Sequence, residues 1–334
     1  MEAAQNLVEL VRSKVREHGS RVMLQFKEGW SWKQSTWLDF EREVRDAAAF
    51  LYGIGFRPGD RAIVLYPNRK EAFWSEVAVL MLGGVVVCAS SVDDLQGPDG
   101  TAKGWEAVYL FSSSDDAIRG VKEMASRIPS IKRTIVYESD VPSKEENAIS
   151  FKAMLKFGAL KRRSLDDEIT ALSHAIGKDS PAVVLTHACR EGSRTLSHGE
   201  IARAASMAAR TLSFLSQEDQ AFSYLPTTSP FSVLANWIGI CIGMRTAMAE
   251  SRKEFYEDVL EVKPTVVLAT SRGLEDIATM LGSGGKTRGK DVRRMLGGRL
   301  RHIVTDLPPR DEVGRFFMEA GASITVLDEP GSLV

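Results

Sequence analysis

Ala182-Val183-Val184-Leu185-Thr186 is an apolar run that predicts a buried strand, and Ser197-His198-Gly199-Glu200-Ile201 opens a helix. The segment between them, His187-Ala188-Cys189-Arg190-Glu191-Gly192-Ser193-Arg194, is expected to be a loop. Such strand–loop–helix connections hold phosphate in nucleotide enzymes, because glycines let backbone N–H groups approach the oxygens and a lysine meets the charge. This loop has one glycine, no lysine and one glutamate. The stretch therefore predicts a phosphate-loop scaffold that has lost its chemistry.

The composition is ordinary for a soluble globular protein. The length of 334 residues suggests about two domains, and 44% of the residues are hydrophobic while 26% are charged. The formal net charge of −1 gives no overall field toward nucleic acid or an anionic membrane. Three cysteines cannot form a disulfide framework, and Cys88 and Cys241 lie in apolar runs. A reducing cytoplasm is therefore the expected compartment.

No segment of the sequence predicts a signal peptide or a membrane span. Residues Met1–Gly19 mix acids and bases and lack the apolar core of a signal peptide. The apolar runs Val77–Ala89 and Phe231–Met244 are shorter than the roughly 20 residues that cross a bilayer. Both are expected to be buried, with weak peripheral membrane contact by the second run as the alternative.

Strands and helices alternate along the chain, which predicts an α/β fold with mostly parallel sheets and helices on both faces. The polar segment Ser139–Ser180 is expected to be an irregular connection with one short helix, and we place a boundary there between domains 1–165 and 166–334. The predicted strands are Arg61–Tyr66, Val85–Ala89, Ala107–Phe111, Thr134–Tyr137, Ala182–Leu185, Ala221–Tyr224, Thr265–Ala269, His302–Thr305 and Ser323–Leu327. The predicted helices are Trp37–Leu51, Glu71–Leu82, Asp116–Arg127, Phe151–Phe157, Glu200–Phe214, Phe231–Ile242, Phe255–Val262, Gly273–Leu281 and Asp311–Ala320.

Short motifs in a fixed order carry a family resemblance over nearly the whole chain. The motifs are Thr36-Trp37-Leu38-Asp39-Phe40, Gly55-Phe56-Arg57-Pro58-Gly59-Asp60-Arg61-Ala62-Ile63, Pro67-Asn68 with Glu71, the segment Ala78–Val87, Leu225-Pro226, Lys263-Pro264-Thr265, Arg272 with Glu275, Leu296-Gly297-Gly298-Arg299-Leu300-Arg301, and Phe316-Phe317 with Gly321. Together they resemble the adenylate-forming (AMP-binding) enzymes, and among these the long-chain fatty-acid–CoA ligases.

The resemblance implies two stacked α/β subdomains, followed by a β-barrel subdomain and a C-terminal lid domain. In the family, ATP activates a carboxylate as its adenylate, and the thiol of CoA then displaces AMP. That chemistry uses a phosphate cradle, an adenine site, a metal-binding glutamate and a lysine on the lid. We expect the barrel and the lid to be missing, because the family places them beyond the position of Val334.

The matching phosphate loop is vestigial in this sequence. Thr186 and His198 survive from the family pattern, Gly192 is the one remaining glycine, and Arg190 and Arg194 supply the cations. Two interpretations stay open. The arginines could replace the missing lysine through their planar forks, or the segment is a solvated loop in which the adjacent glutamate opposes a triphosphate.

The start of the following helix has its own structural explanation. Ser197 and Glu200 form an S-x-x-E capping box ahead of Ile201. His198 is then a first-turn residue, expected to be structural rather than a general base. The five histidines show no metal-type spacing, so no metal site is expected.

The sequence segments that match the family's adenine and metal sites are also altered. The adenine segment corresponds to Thr305-Asp306 and the residues after it, and the metal-binding region to Asp328-Glu329-Pro330-Gly331-Ser332. The resemblance puts serine at the position of the metal-binding glutamate and removes the aromatic residue that stacks on adenine. Ser229 stands where the family has a histidine. Ser229 and Trp237 mark a candidate acyl pocket.

Three hypotheses follow. The leading one is a catalytically degenerate acyl-CoA synthetase-like protein with no catalytic residue and no cofactor, which binds an acyl or nucleotide-like ligand, a protein partner or a second copy of itself. The first alternative is an active ATP- and magnesium-dependent fatty-acid or aryl-acid CoA ligase, completed by a separate C-terminal domain. The second alternative is a structural subunit of a lipid-pathway complex.

Overall fold

The computed structural model of the chain describes residues 6–29, 31–65, 69–89, 102–113, 128–138, 147–189, 192–224, 230–248, 254–282 and 289–327. Its helices are α1 (Leu7–His18), α2 (Trp37–Gly53), α3 (Lys70–Met81), α4 (Phe151–His174), α5 (His198–Thr211), α6 (Pro230–Ile242), α7 (Phe255–Val262), α8 (Ser271–Met280), α9 (Gly289–Met295) and α10 (Asp311–Glu319), with a 3-10 turn at Ala102–Trp105. Its strands are β1 (Val22–Glu28), β2 (Ser31–Thr36), β3 (Arg61–Leu65), β4 (Val85–Ala89), β5 (Tyr109–Ser112), β6 (Arg133–Val136), β7 (Ala148–Ser150), β8 (Pro181–Cys189), β9 (Gly192–Ser197), β10 (Gln220–Ser223), β11 (Arg245–Met248), β12 (Val266–Leu268), β13 (His302–Thr305) and β14 (Ser323–Val326).

The chain divides into two compact units. The first unit comprises residues 1–19, 37–203 and 227–229, and the second comprises residues 20–36, 204–226 and 230–334. Both units are α/β, as the alternation of elements predicts.

The sheet of the first unit has the strand order β7-β6-β5-β3-β4-β8-β9. Its neighbours pair in parallel except for β8 and β9, which form an antiparallel hairpin at the edge. Every residue of β4 is buried, because helices cover both faces of a parallel sheet and leave no solvent side for polar residues. The sequence pattern of β4 predicts its bounds correctly.

The sheet of the second unit has the order β14-β13-β12-β10-β11-β1-β2. It repeats the plan of the first, with parallel neighbours and one antiparallel hairpin, β1–β2, at the edge. Lys27 in β1 fastens this hairpin to α7 through an ion pair of 2.5 Å between its Nζ and Oδ1 of Asp258. Burial raises the pKa of the Asp258 carboxyl, and Lys27 partly offsets that rise.

The division differs from the predicted domains 1–165 and 166–334. A cut at 165 would pass through α4, and β8 pairs in parallel with β4, so the segment after 165 continues the first sheet. Residues 20–36 cross to the second unit instead, because β1 pairs in parallel with β11. Strand pairing, rather than chain order, decides which unit a segment joins.

Helix α4 corrects a second prediction, because it runs for 24 residues where a short helix, Phe151–Phe157, was expected. Ser150 caps its start by accepting a hydrogen bond from the Ala153 N–H at 3.2 Å. Two of its charged residues form ion pairs with α2. The ion pairs are Arg45–Asp166 at 2.5 Å and Arg162–Asp46 at 3.1 Å.

Gly158 sets the separation of α2 and α4. A Cβ placed on Gly158 would lie 1.8 Å from the backbone oxygen of Asp46, so only glycine allows this approach. The strands β1, β2, β7, β9 and β11 and the helices α1 and α9 do not appear among the predicted elements. The predicted helix Asp116–Arg127 lies outside the described residues.

Large aromatic side chains fill the first unit's core. Trp37 and Trp74 are fully buried, and the Phe40 ring packs edge-on against Trp74 with ring centroids 4.7 Å apart. Trp32 differs: it lies in the edge hairpin of the second unit, where its indole N–H donates to Glu261. Within the described ranges, no helix is both long and apolar enough to cross a membrane.

Gly158→Ala should lower the free energy of unfolding by about 1–3 kcal/mol, because the added methyl group meets the α2 backbone rather than a side chain that can move. Gly314→Ala in α10 is the matched control. Its new Cβ would meet its nearest neighbour, Pro309 Cγ, at 3.8 Å, so this change should be neutral or stabilise by up to about 1 kcal/mol. Urea denaturation measures both variants, and similar midpoints for the two would contradict the assigned close approach.

Candidate functional site

The predicted phosphate loop is a β-hairpin. Strand β8 extends to Cys189, and β9 begins at Gly192, which pairs with Cys189 across the two strands. The pairing is irregular between Leu185 and Cys189, where the register shifts. Arg190 lies outside the described residues. Within the segment expected to be an open loop, Cys189, Gly192 and Arg194 therefore pair with residues of the opposite strand.

Thr186 is fixed to the neighbouring strand. Its side chain is buried, and its Oγ1 donates a hydrogen bond of 3.0 Å to the backbone oxygen of Cys88 in β4. The hydroxyl proton is therefore already used in holding β8 on β4.

Ser197 and Glu200 form the predicted capping box, and both of its hydrogen bonds are present. The backbone N–H of Ser197 donates to Oε2 of Glu200 at 2.7 Å, and the N–H of Glu200 donates to Oγ of Ser197 at 3.2 Å. The hydrogen bond from the Ser197 N–H is the largest cause that lowers the pKa of the Glu200 carboxyl. The pair fixes the turn from β9 into α5.

The next two N–H groups of α5 donate to a preceding turn. The N–H of His198 donates to the backbone oxygen of Ser180 at 3.0 Å, and that of Gly199 to the backbone oxygen of Lys178 at 2.7 Å. A Cβ on Gly199 would lie 2.7 Å from the Lys178 oxygen, so the glycine is needed for this approach. The N-terminal donors that would otherwise bind an anion at this helix already have acceptors.

Arg194 is the described cation of the hairpin, and it faces an anion of its own chain. Its Nη2 lies 3.8 Å from Oε1 of Glu200, and both side chains are partly exposed. The carboxylate of Glu200 therefore serves the helix start and Arg194 together. A triphosphate at this position would have to compete with Glu200 for the guanidinium.

His198 is buried without a hydrogen bond to either ring nitrogen within the described part of the chain. Burial lowers the pKa of its imidazole to about 4, because the charged form loses its hydration there. The ring is therefore neutral at physiological pH. This fits the structural role predicted from its place in the first helical turn.

The remains of the predicted adenine site lie in the second unit and have a capping role. Oδ1 of Asp306 accepts hydrogen bonds from the N–H groups of Ser271 at 2.7 Å and Leu307 at 2.9 Å, and from Oγ1 of Thr305 at 3.2 Å. The carboxylate thus satisfies the N–H of Ser271, the first residue of α8, where negative charge is favourable.

Of the other predicted site residues, only one lies in the described part of the chain. Asp328, Glu329 and Ser229 lie outside the described residues, while Trp237 is fully buried in α6 of the second unit. Thr186, Gly192, Arg194 and His198 belong together on the β8–β9–α5 segment of the first unit. Over the described ranges, no group of three or more His, Cys, Asp or Glu side chains could hold a metal ion.

The acceptors at Lys178 and Ser180 are the functional feature that the sequence pattern misses. They are backbone carbonyls, and the side chains at those positions give no signal of their role. Gly199 is the one available hint, because a glycine in the first turn of a helix often marks a close backbone approach.

The family model and the related proteins that match this chain agree on one family. A family model described as AMP-binding enzyme matches residues 11–185. A long-chain-fatty-acid–CoA ligase of Xenopus laevis is 21% identical over 300 residues, which cover 86% of this chain and 40% of that protein. A second, from Mycobacterium tuberculosis, is 24% identical over 181 residues, covering 54% of this chain and 28% of that one. The chain thus spans at most about 40% of the length of these two relatives.

Solved structures share the fold. The anthranilate CoA ligase AuaEII, in complex with anthranoyl-AMP, matches with a TM-score of 0.73 at 14% identity, over 97% of this chain and 60% of that one. A long-chain-fatty-acid–CoA ligase of Archaeoglobus fulgidus matches with a TM-score of 0.72 at 14% identity, over 96% and 63%.

Ser197→Ala should lower the free energy of unfolding by about 1 kcal/mol, because the Glu200 N–H loses its acceptor. Ser213→Ala is the matched control, since this exposed serine follows the C-terminal end of the same helix. The contribution of Glu200 should be present above the ordinary pKa of a glutamate and fall away below it, because its pKa is lowered in the folded state. Denaturation curves at several pH values test this, and equal losses for Ser197→Ala and Ser213→Ala would contradict the capping role.

His198→Leu should remove one step from the pH dependence of stability. The pKa of His198 falls from 6.5 to about 4 on folding, so the unfolded chain takes up the proton first and stability declines as the pH drops through that range. The wild type should lose on the order of 3 kcal/mol across this range, and His198→Leu should lose less. Thermal denaturation from neutral to acidic pH measures the difference. Parallel curves for the two proteins would show that the ring is hydrated or paired.

Proposed function

The chain belongs to the AMP-binding enzyme family, and from that premise we propose that it is an acyl-CoA synthetase-like protein that has lost ATP-dependent adenylation. Its role is to bind rather than to catalyse. The ligand is of the acyl or acyl-nucleotide class, in keeping with the names of its relatives and with the anthranoyl-AMP held by a structural neighbour.

One observation carries the proposal: the donors at the start of α5 are satisfied within the chain. The N–H groups of Ser197, His198, Gly199 and Glu200 all have acceptors at 2.7–3.2 Å. A phosphate bound there would have to displace these contacts. Each lost donor of this kind typically costs a factor of about 10² or more in rate.

The described side chains also fit magnesium and ATP phosphates poorly. Thr186 donates its hydroxyl proton to β4, Arg194 faces Glu200, and Asp306 accepts from the N-terminal N–H of α8. Among the described residues, no group of three or more His, Cys, Asp or Glu side chains could hold a divalent cation.

The proposal includes a position for the ligand and a compartment for the protein. We place the acyl ligand near α6, where Trp237 is fully buried among apolar neighbours in sequence, and the protein in the cytoplasm. Such a protein would act by binding a protein partner or a second copy of itself.

One alternative keeps support from the fold. The hairpin and α5 retain the scaffold of a phosphate site, and Arg194 stays partly exposed. An active fatty-acid or aryl-acid CoA ligase would use Arg190 and Arg194 for phosphate and would obtain the rest of the family's machinery from additional sequence or a separate chain.

Carboxylate-dependent exchange between ATP and pyrophosphate separates these functions. We expect the purified protein to show only the background seen without carboxylate, across fatty acids and aryl acids, while a complete long-chain ligase assayed in parallel gives strong exchange. Thermal shifts with fatty acid or acyl-CoA should exceed those with ATP alone.

The opposite result is equally specific. Exchange well above background, abolished by Arg190→Ala with Arg194→Ala and kept in an exposed-arginine control such as Arg210→Ala, would establish the ligase instead.

A further inference from the structure

The outward face of α4 carries apolar side chains that nothing in the described structure covers. Phe157 is 50% exposed and Leu160 is 75% exposed, the largest value among the exposed large hydrophobic residues of the described chain. The two positions are three residues apart, so they lie side by side on one helix face. Single exposed apolar residues are common, but an adjacent pair at this exposure makes a small patch.

Cations surround this patch. Lys152, Lys156, Lys161 and Arg163 are exposed, and residues 151–165 of α4 contain no acidic residue. Within the described ranges, none of the three residues Lys152, Lys156 and Arg163 forms an ion pair. On a helix of 3.6 residues per turn, Lys156 and Lys161 flank the apolar pair on its two sides.

The opposite face of the same helix has different chemistry. There Gly158 lies against the backbone of Asp46, and Arg162 pairs with the Asp46 carboxylate. Of the four exposed cations, Lys161 lies over Gly53 at the end of α2, whereas in the described part of the chain no contact with α2 is seen for Lys152, Lys156 and Arg163. The basic stretch ends at Asp166-Asp167-Glu168, which limits the patch to the first half of the helix.

We propose that the first half of α4 docks on an anionic lipid surface. Phe157 and Leu160 enter the boundary between headgroups and acyl chains, while Lys152, Lys156 and Arg163 contact the lipid phosphates and carboxylates. This is the pattern of helices that lie in the membrane interface, with a small apolar centre and lysine or arginine beside it.

Charge complementarity selects this occupant. The whole chain has a formal net charge of −1, so attraction to an anionic surface has to come from a local cluster such as this one. A nucleic acid would leave the protruding Phe157 and Leu160 without an apolar contact. A bilayer interface takes up apolar and cationic groups together, because the two environments lie a few ångströms apart.

Vesicle co-sedimentation of the full chain tests the proposal. The probes are phosphatidylcholine vesicles with about one quarter phosphatidylserine and vesicles of phosphatidylcholine alone. We expect binding to the first and little to the second, with binding that weakens as salt is raised.

Two variants separate the contributions. Phe157→Ser with Leu160→Ser should weaken binding roughly tenfold, and Lys156→Gln with Arg163→Gln should weaken it about fivefold per cation. The matched controls are Met207→Ser with Met318→Ser, which removes two other exposed apolar side chains, and Lys132→Gln with Arg210→Gln, which removes two other exposed cations. All replaced side chains are exposed, and circular dichroism checks that each variant folds.

The outcomes decide the proposal. Weaker binding to anionic vesicles in both α4 variants, with unchanged binding in the control variants, supports it. No binding to anionic vesicles overturns it, as does binding that survives in either α4 variant or falls equally in the controls. The chain could instead fail to bind vesicles and form a stable complex with an acidic protein through Phe157 and Leu160. That result would assign this helix face to a protein partner and would also overturn the lipid assignment.

Discussion

The reciprocal hydrogen bonds between Ser197 and Glu200 fix how β9 turns into α5, and the rest of the candidate site follows from them. Once the helix begins at His198, its first N–H groups point to the backbone oxygens of Ser180 and Lys178. The same Glu200 carboxylate faces Arg194 across the turn. We propose that this helix start does not serve as a phosphate cradle, because each N–H donor serves one strong acceptor at a time.

Both units apply the same architectural rule. Largely buried parallel strands occupy the middle of each sheet, and an antiparallel hairpin closes one edge. In the second unit, Lys27 ties the hairpin to α7 through the buried Asp258. In the first unit, the hairpin carries the residues that match a phosphate loop. Family resemblance thus persists in the scaffold, while the polar groups on it have found partners within the chain.

The sequence predicts structure that depends on neighbouring residues, but it does not predict contacts between distant segments. The apolar run of β4 and the S-x-x-E box of Ser197 and Glu200 depend on neighbouring residues alone, and both predictions are confirmed. The sequence does not predict strand β9, because Gly192–Ser197 is mostly polar, as an edge strand can be. The sequence does not predict the length of α4, because its charged residues favour an irregular solvated segment; two of these residues instead form ion pairs with Arg45 and Asp46 of α2. The acceptors at Lys178 and Ser180 are backbone oxygens, which no side-chain pattern reveals.

The most direct test is a titration of the protein with magnesium and ATP, followed through the backbone amide NMR signals of Gly192 and Gly199. These two residues mark the hairpin and the first turn of α5. If the donors of the helix start are committed within the chain, both signals should stay in place up to high nucleotide concentration. Saturable shifts of the Gly199 amide, together with release of its protection against hydrogen exchange, would show that nucleotide phosphate still competes for this site and would contradict the account.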